Sequence, residues 1–125
     1  MTLFVKEEFI SHAGLNLDFK IECDALTEDD WKTLAYIVSK YFQFKFAYGI
    51  PRGGLKLSVP LDDYAVMDPN LPVLIVDDVY TTGKSMETTR EFLLNAFPND
   101  YFIGVVAFAR SETPDWIHPI FKLWG

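Results

Sequence analysis

Cysteine is almost missing from this 125-residue chain: Cys23 is the only one, which excludes a disulfide scaffold and a thiolate zinc cluster. Histidine is nearly as scarce, and His12 and His118 stand too far apart to match a metal-ligand spacing. Basic residues are few. The 11 Lys and Arg against 18 Asp and Glu leave a formal charge of −7, which excludes a nucleic-acid binder that relies on cations facing phosphates. No apolar run is long enough to span a bilayer, the longest being Ile103 to Ala109. The opening Met1–Val5 meets charge at once in Lys6-Glu7-Glu8 and is too short for a secretory signal. Repeats and low-complexity stretches are absent as well. What is present is core material: half of the residues are apolar, with 11 Phe, 6 Tyr and 3 Trp. A domain takes roughly 100–200 residues, so the expectation is one soluble, cytoplasmic domain over residues 1–125, with no nucleic acid and no membrane as partner.

Three stretches follow along the chain. In residues 1–23, apolar positions at Leu15, Leu17, Phe19, Ile21 and Cys23 alternate after the turn signal His12-Ala13-Gly14, which predicts a hairpin or extended arm. Residues 24–110 carry the main rhythm. Thr27-Glu28-Asp29-Asp30 is a helix start, and Trp31, Leu34, Ala35, Val38, Tyr41 and Phe42 fall along one helical face. A short aromatic strand is predicted over 44–48, a loop over 49–54, and a short helix over 55–64 interrupted near Pro60. After the break Pro69-Asn70-Leu71-Pro72, the run Val73–Val76 has the character of a strand buried on both faces. A polar loop over 77–85, a helix from about Ser85 to Ala96 and an apolar strand over 101–109 complete the core. Residues 111–125 form an aromatic tail. The pattern predicts an α/β fold, a single-domain, doubly wound, mostly parallel sheet flanked by helices, with right-handed crossovers. Loops 49–54 and 77–85 both leave carboxyl ends of predicted strands, where such sheets bind ligands.

The stretch Val73-Leu74-Ile75-Val76-Asp77-Asp78-Val79-Tyr80-Thr81-Thr82-Gly83-Lys84-Ser85 carries the most chemistry. A glycine and hydroxyl residues opening a helix make an anion seat out of free main-chain amides. Two adjacent carboxylates do the opposite: they accept hydrogen bonds from sugar hydroxyls or hold a divalent cation through water. A ligand with a phosphate beside a diol fits both halves. A nucleoside triphosphate loop of the Walker type does not, because Asp78 stands where that loop needs its first glycine.

This string resembles the phosphoribosyl-pyrophosphate signature of the type I phosphoribosyltransferases: an apolar strand, two acids, two spacers, then Thr-Thr-Gly-x-Ser/Thr. The resemblance implies that Asp77 and Asp78 bind the ribose hydroxyls, directly or through Mg²⁺, and that Thr81, Thr82, Gly83, Lys84 and Ser85 hold the 5′-phosphate. Gly49-Ile50-Pro51-Arg52-Gly53-Gly54 is similar to the family's pyrophosphate loop, which often contains a cis non-proline peptide. There Gly53 and Gly54 admit unusual backbone angles and Arg52 offers a fork to phosphate oxygens. Asp77, Asp78 and Arg52 are then the catalytic candidates. Phe9–Lys20 is similar to the opening of orotate phosphoribosyltransferases, which makes His12, Phe19 and Lys20 base-binding candidates, against a plain core strand with a polar edge. Trp116 resembles the purine-stacking Trp of xanthine–guanine-type enzymes, while Trp124 reads as a core or dimer contact. The family's core with a minimal hood is the implied fold.

Two departures matter. Residues 57–72, where most members carry a basic lid, contain no Lys or Arg and hold Asp62, Asp63 and Asp68. Thr81 stands where 6-oxopurine enzymes place an Asp. The resemblance therefore implies a Mg²⁺-dependent phosphoribosyltransferase with an orotate-like acceptor, or a purine acceptor as the alternative. A non-catalytic phosphoribosyl-pyrophosphate-binding or regulatory domain is the rival. The aromatic content predicts a homodimer.

Overall fold

The computed structural model describes residues 2–6, 9–10, 16–17 and 19–123. Four short strands open the chain: β1 (Phe4–Val5), β2 (Phe9–Ile10), β3 (Asn16–Leu17) and β4 (Lys20–Ile21). β1 pairs with β4 and β2 with β3, both antiparallel, so one hairpin nests inside another. The hairpin expected over the first 23 residues is thus present as two pairings, and the chain then enters a 3-10 turn at Cys23–Ala25.

Helix α1 (Glu28–Tyr41) starts as its sequence dictates. The Thr27 hydroxyl accepts from the Asp30 amide at 3.1 Å, and the Asp30 carboxylate accepts from the Thr27 amide at 2.8 Å. Trp31, Leu34, Ala35 and Val38 are buried, whereas Tyr41, expected on the same face, is exposed. The main sheet holds β5 (Phe46–Gly49), β6 (Val73–Tyr80), β7 (Phe102–Ala109) and β8 (Ile117–Lys122), side by side in that order and all parallel. Between them lie α2 (Leu55–Leu61), which runs past Pro60 before a 3-10 turn at Asp62–Tyr64, and α3 (Lys84–Ala96).

Strand alternation divides the core. Leu74, Val76, Val105 and Ala107 face α1 and α2, packing on Leu34, Val38, Leu57 and Leu61. Val73, Ile75, Val106 and Ile117 face α3, packing on Met86 and Leu93. Leu74, Ile75 and Val76 are fully buried, and each such side chain contributes about 1.5–3 kcal/mol.

Three expectations need correction. The polar loop expected over 77–85 is shorter, because β6 continues through Asp77 and Asp78 to Tyr80, with Asp77 opposite Val106 and Tyr80 opposite Ala109. The tail is no tail over 117–122: it is β8, an edge strand, where Pro119 is tolerated. The crossovers also depart from a uniform hand. Both step the same way across the sheet, yet α2 covers one face and α3 the other, so they are of opposite hand. The right-handed rule governs compact units. Here α2 does not lead directly into β6: residues 62–72 intervene, and the Val66 amide bonds to the Phe44 carbonyl before β6 begins. The loops after β5 and β6 therefore part to opposite faces, which opens the crevice where doubly wound sheets take ligands.

Candidate functional site

Loops 49–54 and 81–83 leave the carboxyl ends of the neighbouring strands β5 and β6. The first is pinned at both ends: the Ile50 amide donates to the Val76 carbonyl at 2.9 Å and the Gly54 amide to the Ile50 carbonyl at 2.8 Å. The Pro51–Arg52 peptide is cis, as the resemblance implies. Gly53 lies directly against Asp78. A Cβ on residue 53 would clash with the Asp78 carboxylate, so a side chain there would force that carboxylate or the loop to shift.

In the second loop Gly83 caps α3 with φ 81°, a left-handed conformation that disfavours side chains, and a Cβ there would also strike the Tyr80 ring. Tyr80 is buried, and its carbonyl accepts from the Arg110 amide at 2.9 Å. The Ser111 hydroxyl donates to the Thr81 carbonyl at 2.8 Å, tying the loop to the segment after β7. The Lys84 amide donates to the Thr82 hydroxyl at 3.4 Å, and the first turn of α3 brings the positive end of the helix dipole to this loop.

Between the loops stand the two acids. Successive strand side chains alternate, which puts Asp77 on the α3 side and Asp78 on the α2 side. The Asp78 amide donates to the Asp77 carboxylate at 2.9 Å, and the Val79 amide to the Asp78 carboxylate at 2.8 Å. Burial, and then the negative charge of Asp78, push Asp77 up to about 8, so it keeps its proton at neutral pH. Cys23 approaches from the arm. Its buried thiol is hydrogen-bonded to Asp78 and pushed up to about 12, first by burial and then by that carboxylate, so it is a donor and no nucleophile. Next to it Asp24 forms an ion pair with Lys56 of α2 and is held below the usual carboxylate range by Lys56 and by Arg52.

Among the described residues no group of three His, Cys, Asp or Glu side chains could hold a metal. Mg²⁺ is commonly bound through one or two carboxylates together with water and substrate phosphates, a role that Asp77 and Asp78 fit only with Asp77 ionised.

The candidates for base binding fare unequally. Phe19 reaches the rim, where the Arg110 guanidinium lies 3.9 Å above its ring. Lys20 pairs with Glu22 at 2.8 Å. His12 and Trp124 lie outside the described residues. Trp116 packs beneath α3: its indole donates to Glu87 at 3.0 Å and Arg90 stacks 4.6 Å from its ring. Its carbonyl accepts from the Gly104 amide, opposite Ile75 and two residues short of Asp77, so it is not brought to loop 49–54. Arg110, Cys23 and Asp24 are rim residues that sequence reasoning missed. Only Arg110 gave a signal, as a charge directly after a buried strand.

Neither the protein-family models nor the curated proteins give a match. Solved structures do. An orotate phosphoribosyltransferase from Aeropyrum pernix superposes with a TM-score of 0.73 at 17% identity, over 97% of this chain and 88% of that one. A phosphoribosyltransferase from Corynebacterium diphtheriae gives 0.70 at 13%, over 86% and 84%. A Helicobacter pylori xanthine-guanine-hypoxanthine phosphoribosyltransferase gives 0.53 at 17%, over 74% and 85%. At these identities the likeness is one of fold: the chain has the fold of the type I phosphoribosyltransferases, orotate-type enzymes among them.

Proposed function

We propose that the protein binds phosphoribosyl pyrophosphate and transfers its phosphoribosyl group to a nitrogenous base, releasing pyrophosphate. One observation carries the reading: Gly53 packs on the Asp78 carboxylate, which unites the two loops on one rim. Asp77 and Asp78 take the ribose hydroxyls. Thr81, Thr82, Gly83, Lys84 and Ser85 take the 5′-phosphate, with the amides of the α3 terminus supplying the donors. Arg52, Gly53 and Gly54 take the diphosphate. In the transfer, the bond from C1 to the pyrophosphate oxygen breaks and a bond from C1 to the base nitrogen forms, through an oxocarbenium-like state. Asp77 and Asp78 would hold Mg²⁺, through water, and the ion would neutralise diphosphate charge.

The acceptor is orotate-like. Arg110 stacked on Phe19 offers a cation and an aromatic plane at the rim, which suits an acidic base, and Thr81 lacks the carboxylate of the purine pattern. A xanthine- or guanine-like purine is the alternative. The reading includes a cytoplasmic homodimer, which the exposed Tyr41, Val59, Met67 and Phe92 would suit; no helix among the described residues is long and apolar enough to cross a membrane. A second reading, binding without turnover in a regulatory domain, is favoured by the absence of any basic residue in 57–72.

Pyrophosphate release is measured with orotate, xanthine, guanine, hypoxanthine and adenine at saturating Mg²⁺, beside calorimetry with phosphoribosyl pyrophosphate. Release with orotate supports transfer. Tight binding with silence for every base selects the regulatory reading, and no binding sinks both.

A further inference from the structure

We propose that Lys56 is a second cation of the diphosphate seat, and that Asp24 is its resident counter-ion, displaced when a diphosphate binds. The inference rests on loop 49–54 being that seat. Lys56 lies in the first turn of α2, its amide bonded to the Gly53 carbonyl at 3.3 Å, so its backbone is continuous with the loop. Its ammonium group is paired with the Asp24 carboxylate. The same ammonium acts electrostatically on Cys23, whose thiol is bonded to Asp78, and Arg52 acts on Asp24. Lys56, Arg52, Asp24 and the Asp78 carboxylate thus share one neighbourhood at the mouth of the loop.

Asp24 stands among the cations an incoming anion needs, and both partners are open to solvent: the Lys56 side chain is 34% exposed and that of Asp24 is 67% exposed. An exposed pair of single charges is a weak bond. A diphosphate brings more charge and several acceptor oxygens to the same ammonium group, so it competes favourably with one carboxylate. The exchange also answers a shortage. Residues 57–72 supply no cation, and Lys56 is the last basic residue before that stretch.

Calorimetry of the full chain with inorganic pyrophosphate tests the inference. Asp24→Asn should tighten binding by about two- to fivefold, the range set by an exposed ion pair. Lys56→Gln should weaken binding and Lys56→Arg should retain it. In the Lys56→Gln background the gain from Asp24→Asn should shrink, whereas Asp63→Asn, an equal charge change on the 3-10 turn after α2, should alter nothing. Thermal melts establish that each variant is folded. An unchanged or weaker affinity in Asp24→Asn overturns the inference, as does a gain that persists undiminished without Lys56, or a chain that binds no pyrophosphate in any form. If these shifts appear while no base accepts a phosphoribosyl group, the counter-ion stands and the transferase reading alone falls.

Discussion

Loop 81–83 is held by the body of the protein, through Ser111 on the Thr81 carbonyl and the Arg110 amide on Tyr80, and it presents main-chain amides of a 13-residue helix. Loop 49–54 presents side-chain cations instead, Arg52 and its neighbour Lys56, balanced by the Asp24 carboxylate of the 3-10 turn. Dipoles built into a helix need no counter-ion and do not move away. Side-chain charges must be neutralised by something when no ligand is there. On the proposed function, the difference would separate a fixed anchor for one end of the ligand from an exchangeable seat for the end that departs.

The comparison breaks most severely where loop 49–54 rests on Asp78 of β6. Gly53→Val should displace the loop or the Asp78 carboxylate from their contact and lower the rate of phosphoribosyl transfer by about 100-fold, as displacements near 1 Å can do, with little change in affinity for inorganic phosphate at loop 81–83. A comparable loss for inorganic phosphate in calorimetry would show that the loops do not act separately.

Asp77 gives the next effect. The folded chain holds its proton up to about 8, whereas the unfolded chain releases it near 3.8, so the folded state binds more protons between these values. Stability should therefore fall as pH rises through that window. Asp77→Asn removes the group, and denaturant titrations at pH 5 and pH 8 should show a clear loss of stability in the parent that is largely absent from the variant. Parallel curves would contradict the burial of that carboxylate. Gly83→Ala forces a side chain into the left-handed region and against Tyr80, and should cost about 1–2 kcal/mol, read as a lower Tm. Smallest is Ser111→Ala, which removes one exposed hydrogen bond to Thr81 and should cost about 0.5–1.5 kcal/mol while weakening phosphate binding slightly.

Which parts were legible in the sequence follows from where their causes lie. The segment from Val73 to Ala96 is governed locally: a β-branched run, two acids, a glycine that must adopt positive φ and a helix start lie within a dozen residues of one another. The start of α1 is equally local, since Thr27 and Asp30 satisfy each other. The extension of β6 through Asp77 and Asp78 was hidden, because pairing with Val106 and Phe108 outweighs the polar character of those residues. The tail was misread for the same reason: Pro119 argues against a strand until β7 supplies a neighbour on one side only. Cys23, Asp24 and Lys56 meet across more than thirty positions, and nothing in their spacing announces it. Trp116 shows the reverse case, a residue whose type suggested stacking on a ligand and whose partners are Glu87 and Arg90.

The solitary thiol has a practical use. Being sealed away at 6% exposure and held in its protonated form, Cys23 can react with an alkylating reagent only in molecules whose arm has momentarily lifted from the sheet. Its modification rate is therefore a clock for that excursion, one that needs no added label. A ligand gripping the rim should slow it.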